Sequence, residues 1–394
     1  MRSNKKRIAL FTERIYPYYT GGSEKVMYDY ARILAQRYQV TVFTSFDQGS
    51  AKQVLSNVEF IYISKKVKES KRNGNHSITG ILLFSVAAFL HRRKIKDFDI
   101  VILDSIHYFY PIPLLRFLKR KNGKVVTIFH EAWYKYRKSG AVLPPLSYFM
   151  GLSIKRLIHY SDAIISVSEP TAKSLINNYK ANKDRVVTIP LGIDYRNIAD
   201  RHLYKNIFER KYDLAFVGRF AEIKRIEDIV DAVSILVKKG KVLEVALIGD
   251  GPQKILIQRK IDNLGLNDSI HVLGFLNENE KYATIADSKI FILPSEREGF
   301  SLSTLEAMAL GCIPIVSKPK FEEIFGVSHF VKNGQNGLYY DVGNVNELVR
   351  AISICLNNLD MSKIMSSQAN NTASLYTIDY MAYRIYGLIA QMTY

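Results

Sequence analysis

The chain has 394 residues, too many for one ordinary hydrophobic core, so two domains of about 200 residues each are expected. Hydrophobic residues at 47% beside charged residues at 23% exclude a disordered or fibrous chain, and two cysteines, Cys312 and Cys355, exclude a disulfide scaffold and fit a reducing compartment. The net charge of +18 falls entirely in residues 1–200, which hold 33 Lys+Arg against 15 Asp+Glu, so either one domain meets a polyanion or anionic surface or it carries a solvated basic face.

Met1 to Arg7 is polar and basic, and Ile8 to Thr12 is too short for a signal-peptide core. Arg7 to Phe11 (RIALF) reads as a buried strand, followed by a Gly21-Gly22 turn and a helical pattern from Ser23 to Arg37. Further strands are expected at Val40 to Thr44, Glu59 to Ile63, Ile100 to Leu103, Lys124 to Phe129 and Ala163 to Val167. The longest apolar stretch, Ile78 to Leu90, has 13 residues, whereas a spanning helix needs about 20, so no transmembrane segment is expected. Polar residues between about Asp194 and Lys211 mark a boundary. Strands then recur at Leu214 to Val217, Leu243 to Ile248, Ile270 to Val272, Ile290 to Leu293 and Ile313 to Val316, with helical patterns such as Ile226 to Lys239 between them. Apolar runs alternating with helices imply parallel sheets covered on both faces. The expected fold is therefore α/β, with two doubly wound Rossmann-like domains facing across a cleft. The domains are residues 1–200 and 201–375, and a terminal helix, 376–394, packs back on the first. In such sheets ligands gather beyond the carboxyl ends of the strands, near the point where the strand order reverses.

Several motifs fall at such strand ends. Pro294 to Gly311 (PSEREGFSLSTLEAMALG) reads as loop then helix, with unpaired amides from Gly299 through Phe300, Ser301 and Leu302 to Ser303 suited to a phosphate or a sugar hydroxyl. Glu298 and Glu306 can place two carboxylates around one small polar ligand, although Glu306 alone reads equally as a helix acid favoured by the macrodipole. Gly218, Arg219 and Lys224 follow the strand Leu214 to Val217, and two cations there can neutralise a leaving diphosphate. His130 ends the strand Lys124 to Phe129, a place where a lone histidine is as a rule structural. Gly21 and Gly22 permit close approach of backbone to an anion, with Ser23 as the helix cap. The run Gly249-Asp250-Gly251-Pro252 is half of a dinucleotide fingerprint that Lys254 fails to complete, so a nicotinamide enzyme is not expected. No His/Cys cluster has metal-ligand spacing.

The string EGFSLSTLEAMALGCIPIV resembles the E-x7-E signature of the retaining glycosyltransferases of family 4, whose architecture is GT-B. The Gly21-Gly22 loop, IFHE, VSEPTAKSL, IPLGID, FVGRFAEIK, ALIGDGP, VLGFL and NGLYYDVGNVNELVRAI match in family order over nearly the whole chain. The resemblance implies a hexosyltransferase using a nucleotide-sugar donor, without a metal or organic cofactor. It assigns Glu306 to the donor ribose and Glu298 to the donor sugar. Arg219 and Lys224 go to the diphosphate, the Gly299 to Leu302 amides to sugar and diphosphate, His130 to the donor sugar, and Gly21-Gly22 to the donor phosphates and acceptor. Gly251, Phe275 and Leu276 would line the nucleotide pocket through their backbone. Three departures stand out. Arg225 follows Lys224 where the family often has glycine, Glu131 replaces a frequent Asp, and Lys318 to Phe330 has neither glycine of the pair that in the family often precedes an acid, a lack that Gly326 alone does not restore.

On the acceptor side, Ile78 to Lys96, Leu114 to Lys124 and Leu143 to His159 mix apolar and basic residues. Each suits a helix on an anionic membrane, or a buried face with snorkelling cations. The loop Ala132 to Gly140 joins aromatics to cations and suits a glycan or polyprenyl-diphosphate acceptor, while no nucleic-acid motif is present. The expectation is a cytoplasmic enzyme, peripheral on the inner membrane face. An epimerase of the same architecture and a non-catalytic membrane scaffold are the alternatives.

Overall fold

The computed structural model describes residues 5–16, 22–46, 55–65, 78–95, 97–105, 110, 112–120, 123–134, 144–201 and 206–393. The chain forms two compact units, the first from residues up to Pro190 together with Ala382 onward, the second from Leu191 to Met381.

The first unit carries β1 (Arg7–Phe11), β2 (Gln39–Phe46), β3 (Val58–Lys65), β4 (Ile100–Asp104), β5 (Lys124–Phe129), β6 (Ala163–Ser166) and β7 (Val186–Thr188). They pair in parallel in the order β3-β2-β1-β4-β5-β6-β7. Its helices are α1 (Gly22–Leu34), α2 (Ile78–Leu90), α3 (Ile112–Arg120), α4 (Pro144–Tyr160) and α5 (Glu169–Asn177). β1 and β4 are buried along almost their whole length, as a sheet covered on both faces requires. One core joins α2 (Phe84, Ala88), α3 (Leu114, Leu118) and α4 (Ile154, Leu157) to Phe11, Phe43 and Phe129 of the sheet. Within it Phe11 stacks on Phe43 at 4.5 Å.

The second unit begins with α6 (Tyr195–Arg201) and carries β8 (Tyr212–Val217), β9 (Val245–Ile248), β10 (Ile270–Gly274), β11 (Ser288–Leu293), β12 (Ile313–Lys318) and β13 (Leu338–Asp341). These are again all parallel, in the order β10-β9-β8-β11-β12-β13. Its helices continue as α7 (Ile226–Lys238), α8 (Lys254–Asn263), α9 (Glu278–Ala286), α10 (Leu302–Ala309), α11 (Val345–Asn357) and α12 (Leu359–Ala373). The last helix, α13 (Ile378–Thr393), starts in the second unit and ends in the first. There Tyr386 donates its hydroxyl hydrogen to the Ile33 carbonyl at 2.5 Å, and Arg37 lies 4.1 Å over its ring.

Both units are doubly wound and Rossmann-like. The strand order reverses between β1 and β4 in one and between β8 and β11 in the other. Two short edge strands, β7 and β13, were not expected from the sequence. Their residues are mostly half-buried and form no continuous apolar run.

Candidate active site

At the β8/β11 reversal, two loops leave the carboxyl ends of adjacent strands, the place where open α/β sheets hold ligands. The β8 loop holds Gly218 and the exposed Arg219, then a single 3-10 turn, Glu222–Lys224. The β11 loop runs through Glu296 to Phe300 into α10. The two are tied together: the Glu296 amide donates to the Ile223 carbonyl at 2.9 Å, and Lys224 Nζ is ion-paired with Glu298 Oε1. Those two side chains stay 25% and 15% exposed, so the pair remains open to a ligand.

Arg225, the departure from the family pattern, has φ 46° and ψ 44°, a left-handed conformation that favours glycine. Its guanidinium makes a forked pair with the buried Asp228, Nε to Oδ2 and Nη2 to Oδ1, both at 2.8 Å. Nη1 lies 3.7 Å from Glu296 Oε1. A strained backbone is thus held by a bidentate bond, and that bond reaches the loop bearing Glu298.

Lys318 to Phe330, the segment without the glycine pair, supports the same loop. The Glu298 amide donates to the Ile324 carbonyl at 2.9 Å, and the Gly326 amide donates to the Glu298 carbonyl at 2.7 Å. A Cβ on Gly326 would stand 1.8 Å from the Gly299 oxygen, so only glycine lets the strands of chain meet. Gly299 and Leu302 are half-buried beside it. Ser301 caps α10 with φ 75°, its Oγ accepting from the Thr304 amide at 3.4 Å. The Phe300 ring is buried against Phe330, centroids 4.9 Å apart, so it anchors the loop and leaves any ligand contact to its amide.

Glu306 is the fifth residue of α10 and not a first-turn acid, so the macrodipole does not explain it. It is 4% exposed, and among the described residues each carboxylate oxygen has one hydrogen-bond partner: Lys281 Nζ at 2.8 Å and the Tyr282 hydroxyl at 3.0 Å. Burial and the neighbouring carboxylate push the Tyr282 phenol well above its usual pKa. Each oxygen keeps a further acceptor position, enough for two vicinal hydroxyls. Gly251 (φ 157°) lets the next loop pack beneath the β8 loop, since a Cβ there would lie 2.5 Å from the Phe220 oxygen. Phe275, 68% exposed, and the half-buried Leu276 follow the end of β10, two strands away from β8.

In the first unit, the reversal brings together residues from three adjacent strand ends. His130 after β5 has Nε2 3.4 Å from Asp104 Oδ1, the last residue of β4, and Thr12 after β1 donates its hydroxyl to Asp104 Oδ2 at 3.0 Å. Asp104 is 1% exposed. Gly22 is exposed at the start of α1, where an added Cβ would meet nothing within 4 Å. Ser23 is not the expected cap; it lies inside α1 and donates to Glu24 Oε2 at 2.7 Å. Gly21 and residues 135–140 of the acceptor loop lie outside the described residues. Among the described residues, no three or more His, Cys, Asp or Glu are grouped to hold a metal ion.

Residues 201–372 match the family described as Glycosyl transferases group 1, and residues 20–197 match Glycosyltransferase Family 4. The chain belongs to glycosyltransferase family 4. It is an enzyme of the transferase class with GT-B architecture. The transferase is 26% identical over 281 residues to N-acetyl-alpha-D-glucosaminyl L-malate synthase of Bacillus anthracis, covering 68% of this chain and 70% of that one. It is 23% identical over 373 residues to the N-acetylgalactosamine-N,N'-diacetylbacillosaminyl-diphospho-undecaprenol 4-alpha-N-acetylgalactosaminyltransferase of Campylobacter jejuni, covering 92% and 94%. Its fold matches Anabaena HepE, solved in complex with UDP and glucose, with a TM-score of 0.73 at 16% identity, over 98% of this chain and all of that one.

Asp104, Thr12, Lys281 and Tyr282 of the transferase lie outside the motifs legible in its sequence. A signal existed for the first: IVILD ends a wholly buried strand in a carboxylate. For Lys281 and Tyr282 none existed, because they meet Glu306 from a separate helix.

Proposed function

We propose that this glycosyltransferase moves a hexose-type sugar, with retained anomeric configuration, from a nucleoside-diphosphate donor to a glycan or lipid-linked acceptor. The observation that carries the reading is the Lys224–Glu298 ion pair at the strand-order reversal, with Arg219 on the same loop and Glu306 on the adjoining helix. A diphosphate entering there would draw Lys224 towards its own charge, aided by Arg219. As the glycosidic bond breaks, the two cations offset the negative charge that grows on the leaving group. Glu298, released from Lys224, faces the positive charge developing on the sugar and stabilises it without a covalent bond. The acceptor hydroxyl then attacks on the face the diphosphate leaves, and its proton passes to a departing phosphate oxygen. Glu306, fixed by Lys281 and Tyr282, accepts hydrogen bonds from the ribose hydroxyls.

The work of a metal thus falls to side chains in this reading. The bound UDP and glucose of HepE fit the donor class, and the diphospho-undecaprenol in the Campylobacter relative's name fits a lipid-linked acceptor. Two buried free thiols, Cys312 and Cys355, suit the cytoplasmic side. A thermal-shift panel of UDP-, GDP- and ADP-sugars would identify the donor, and NMR of the product would read its anomeric configuration. Inversion would refute the mechanism. Full activity in Glu298→Gln or Lys224→Ala would refute the site.

A further inference from the structure

The helix α2 is apolar all round, a composition that belongs in a buried core or in lipid. Its inner face is accounted for: Ile81, Phe84, Ser85 and Ala88 are buried, and Phe84 and Ala88 belong to the core of the first unit's sheet. Its outer face is not. Leu82, Leu83, Val86 and Leu90 are 46%, 55%, 52% and 65% exposed. These positions, separated by three and four residues, form one stripe along the helix.

The neighbouring helices continue the surface. α3 and α4 share the core on which α2 sits, so the three form one layer. Its solvent side adds Tyr148 and Phe149, 63% and 57% exposed, and the exposed cations Arg116, Lys155 and Arg156. The turn after α2 adds the exposed Arg93 and Lys94. The segments 78–95, 112–120 and 144–160 contain no Asp or Glu. An exposed apolar stripe flanked by cations, with no acid in these three segments, is complementary to an anionic lipid surface. Another folded protein would have to match its shape as well as its charge. At 13 residues α2 is about 20 Å long, too short to cross a bilayer, and among the described residues no helix is long and apolar enough to do so. It can therefore only lie in the interface plane.

We propose that the outer face of α2, α3 and α4 docks the transferase onto an anionic bilayer, with Leu82, Leu83, Val86 and Leu90 entering the acyl boundary and the cations meeting lipid phosphates. Binding is a property of this surface and does not depend on the donor-site reading, so it is measured without donor or acceptor. The full chain is sedimented with phosphatidylglycerol/phosphatidylcholine vesicles and with phosphatidylcholine vesicles alone, and light scattering records the mass of the free protein. Wild type should partition onto the anionic vesicles at least roughly tenfold better, with weakening as salt rises. The triple variant L83E/V86E/L90E should lose roughly tenfold or more while keeping its circular dichroism and unfolding midpoint, because all three side chains already face solvent. R93Q/K94Q should lose a smaller factor, on anionic vesicles only. Absence of binding, equal binding to both vesicles, or unchanged binding of the triple variant would overturn the proposal. So would a wild-type dimer that the triple variant converts to monomer, since the stripe would then be covered by a second copy.

Discussion

Arg225→Gly is the perturbation in which two physical effects oppose each other most directly. Glycine relieves a left-handed backbone (φ 46°), which at a non-glycine residue costs about 1 kcal/mol. Against that, the substitution removes the forked partner of Asp228, a carboxylate whose side chain is 3% exposed and would stay buried with its charge uncompensated. Breaking such a pair costs about 3 kcal/mol, discounted here to the lower end because the guanidinium is 26% exposed. The net expectation is a loss of about 2 kcal/mol, or roughly a 30-fold shift towards local opening. The chain's one tryptophan, Trp133, lies in the first unit, so its fluorescence serves as the control that this unit is untouched. Amide exchange along α7, which Arg225 precedes, gives the measurement. If the variant protects α7 as well as or better than wild type, backbone strain outweighs the ion pair and the reasoning fails. Turnover should fall with stability, because the Glu296 contact that steadies the Glu298 loop goes with it.

Further expectations concern the groups around that loop and its counterpart in the first unit. Gly326→Ala forces a Cβ into the Gly299 carbonyl and should lower kcat by roughly 10- to 100-fold with the fold retained; an active variant would show that the contact is dispensable. Lys281→Met leaves the buried Glu306 with only the Tyr282 hydroxyl and should raise the donor KM by roughly tenfold with kcat little changed, read by steady-state kinetics. Asp104→Asn and His130→Ala should each lower kcat/KM by about tenfold, and the double variant should fall no further; additive losses would show that the two do not act as a unit. Burial pushes the Cys312 thiol up to about 11 and the Cys355 thiol up to about 12, so at pH 8 a thiol reagent should modify neither until the second unit unfolds.

What could be read from the residues follows a physical division. Strands buried on both faces, such as β4 and β11, announce themselves because each carries an unbroken apolar run, Ile100 to Leu103 and Ile290 to Leu293. The edge strands β7 and β13 do not, since a strand bonded on one side can be short and half-polar. Lys224 and Glu298 were legible for a similar reason: each follows an apolar run by a few residues, and strand ends at a reversal of order are where such a sheet offers groups to a ligand. Groups that act through a partner were not legible. Asp104 meets Thr12 across 92 residues because β4 crosses back to lie beside β1, and only the strand order says so. Lys281 reaches Glu306 from α9, a neighbour in space by packing and not by period.

Arg225 and Gly326 show how the departures from the family pattern are resolved. Set singly against that pattern, the first is a missing glycine and the second an insufficient one. The folded chain makes each intelligible by what it touches. Arg225 keeps the left-handed backbone that a glycine would adopt and holds it with a bidentate bond to Asp228. Gly326 supplies the one point of close approach that the Glu298 loop demands. Both act on the same carboxylate, one through Glu296 and one through the Glu298 backbone. Replacing either one should therefore disturb Glu298 before it disturbs the sheet, and the effect on turnover should exceed the effect on the unfolding midpoint of the first unit, which contains neither.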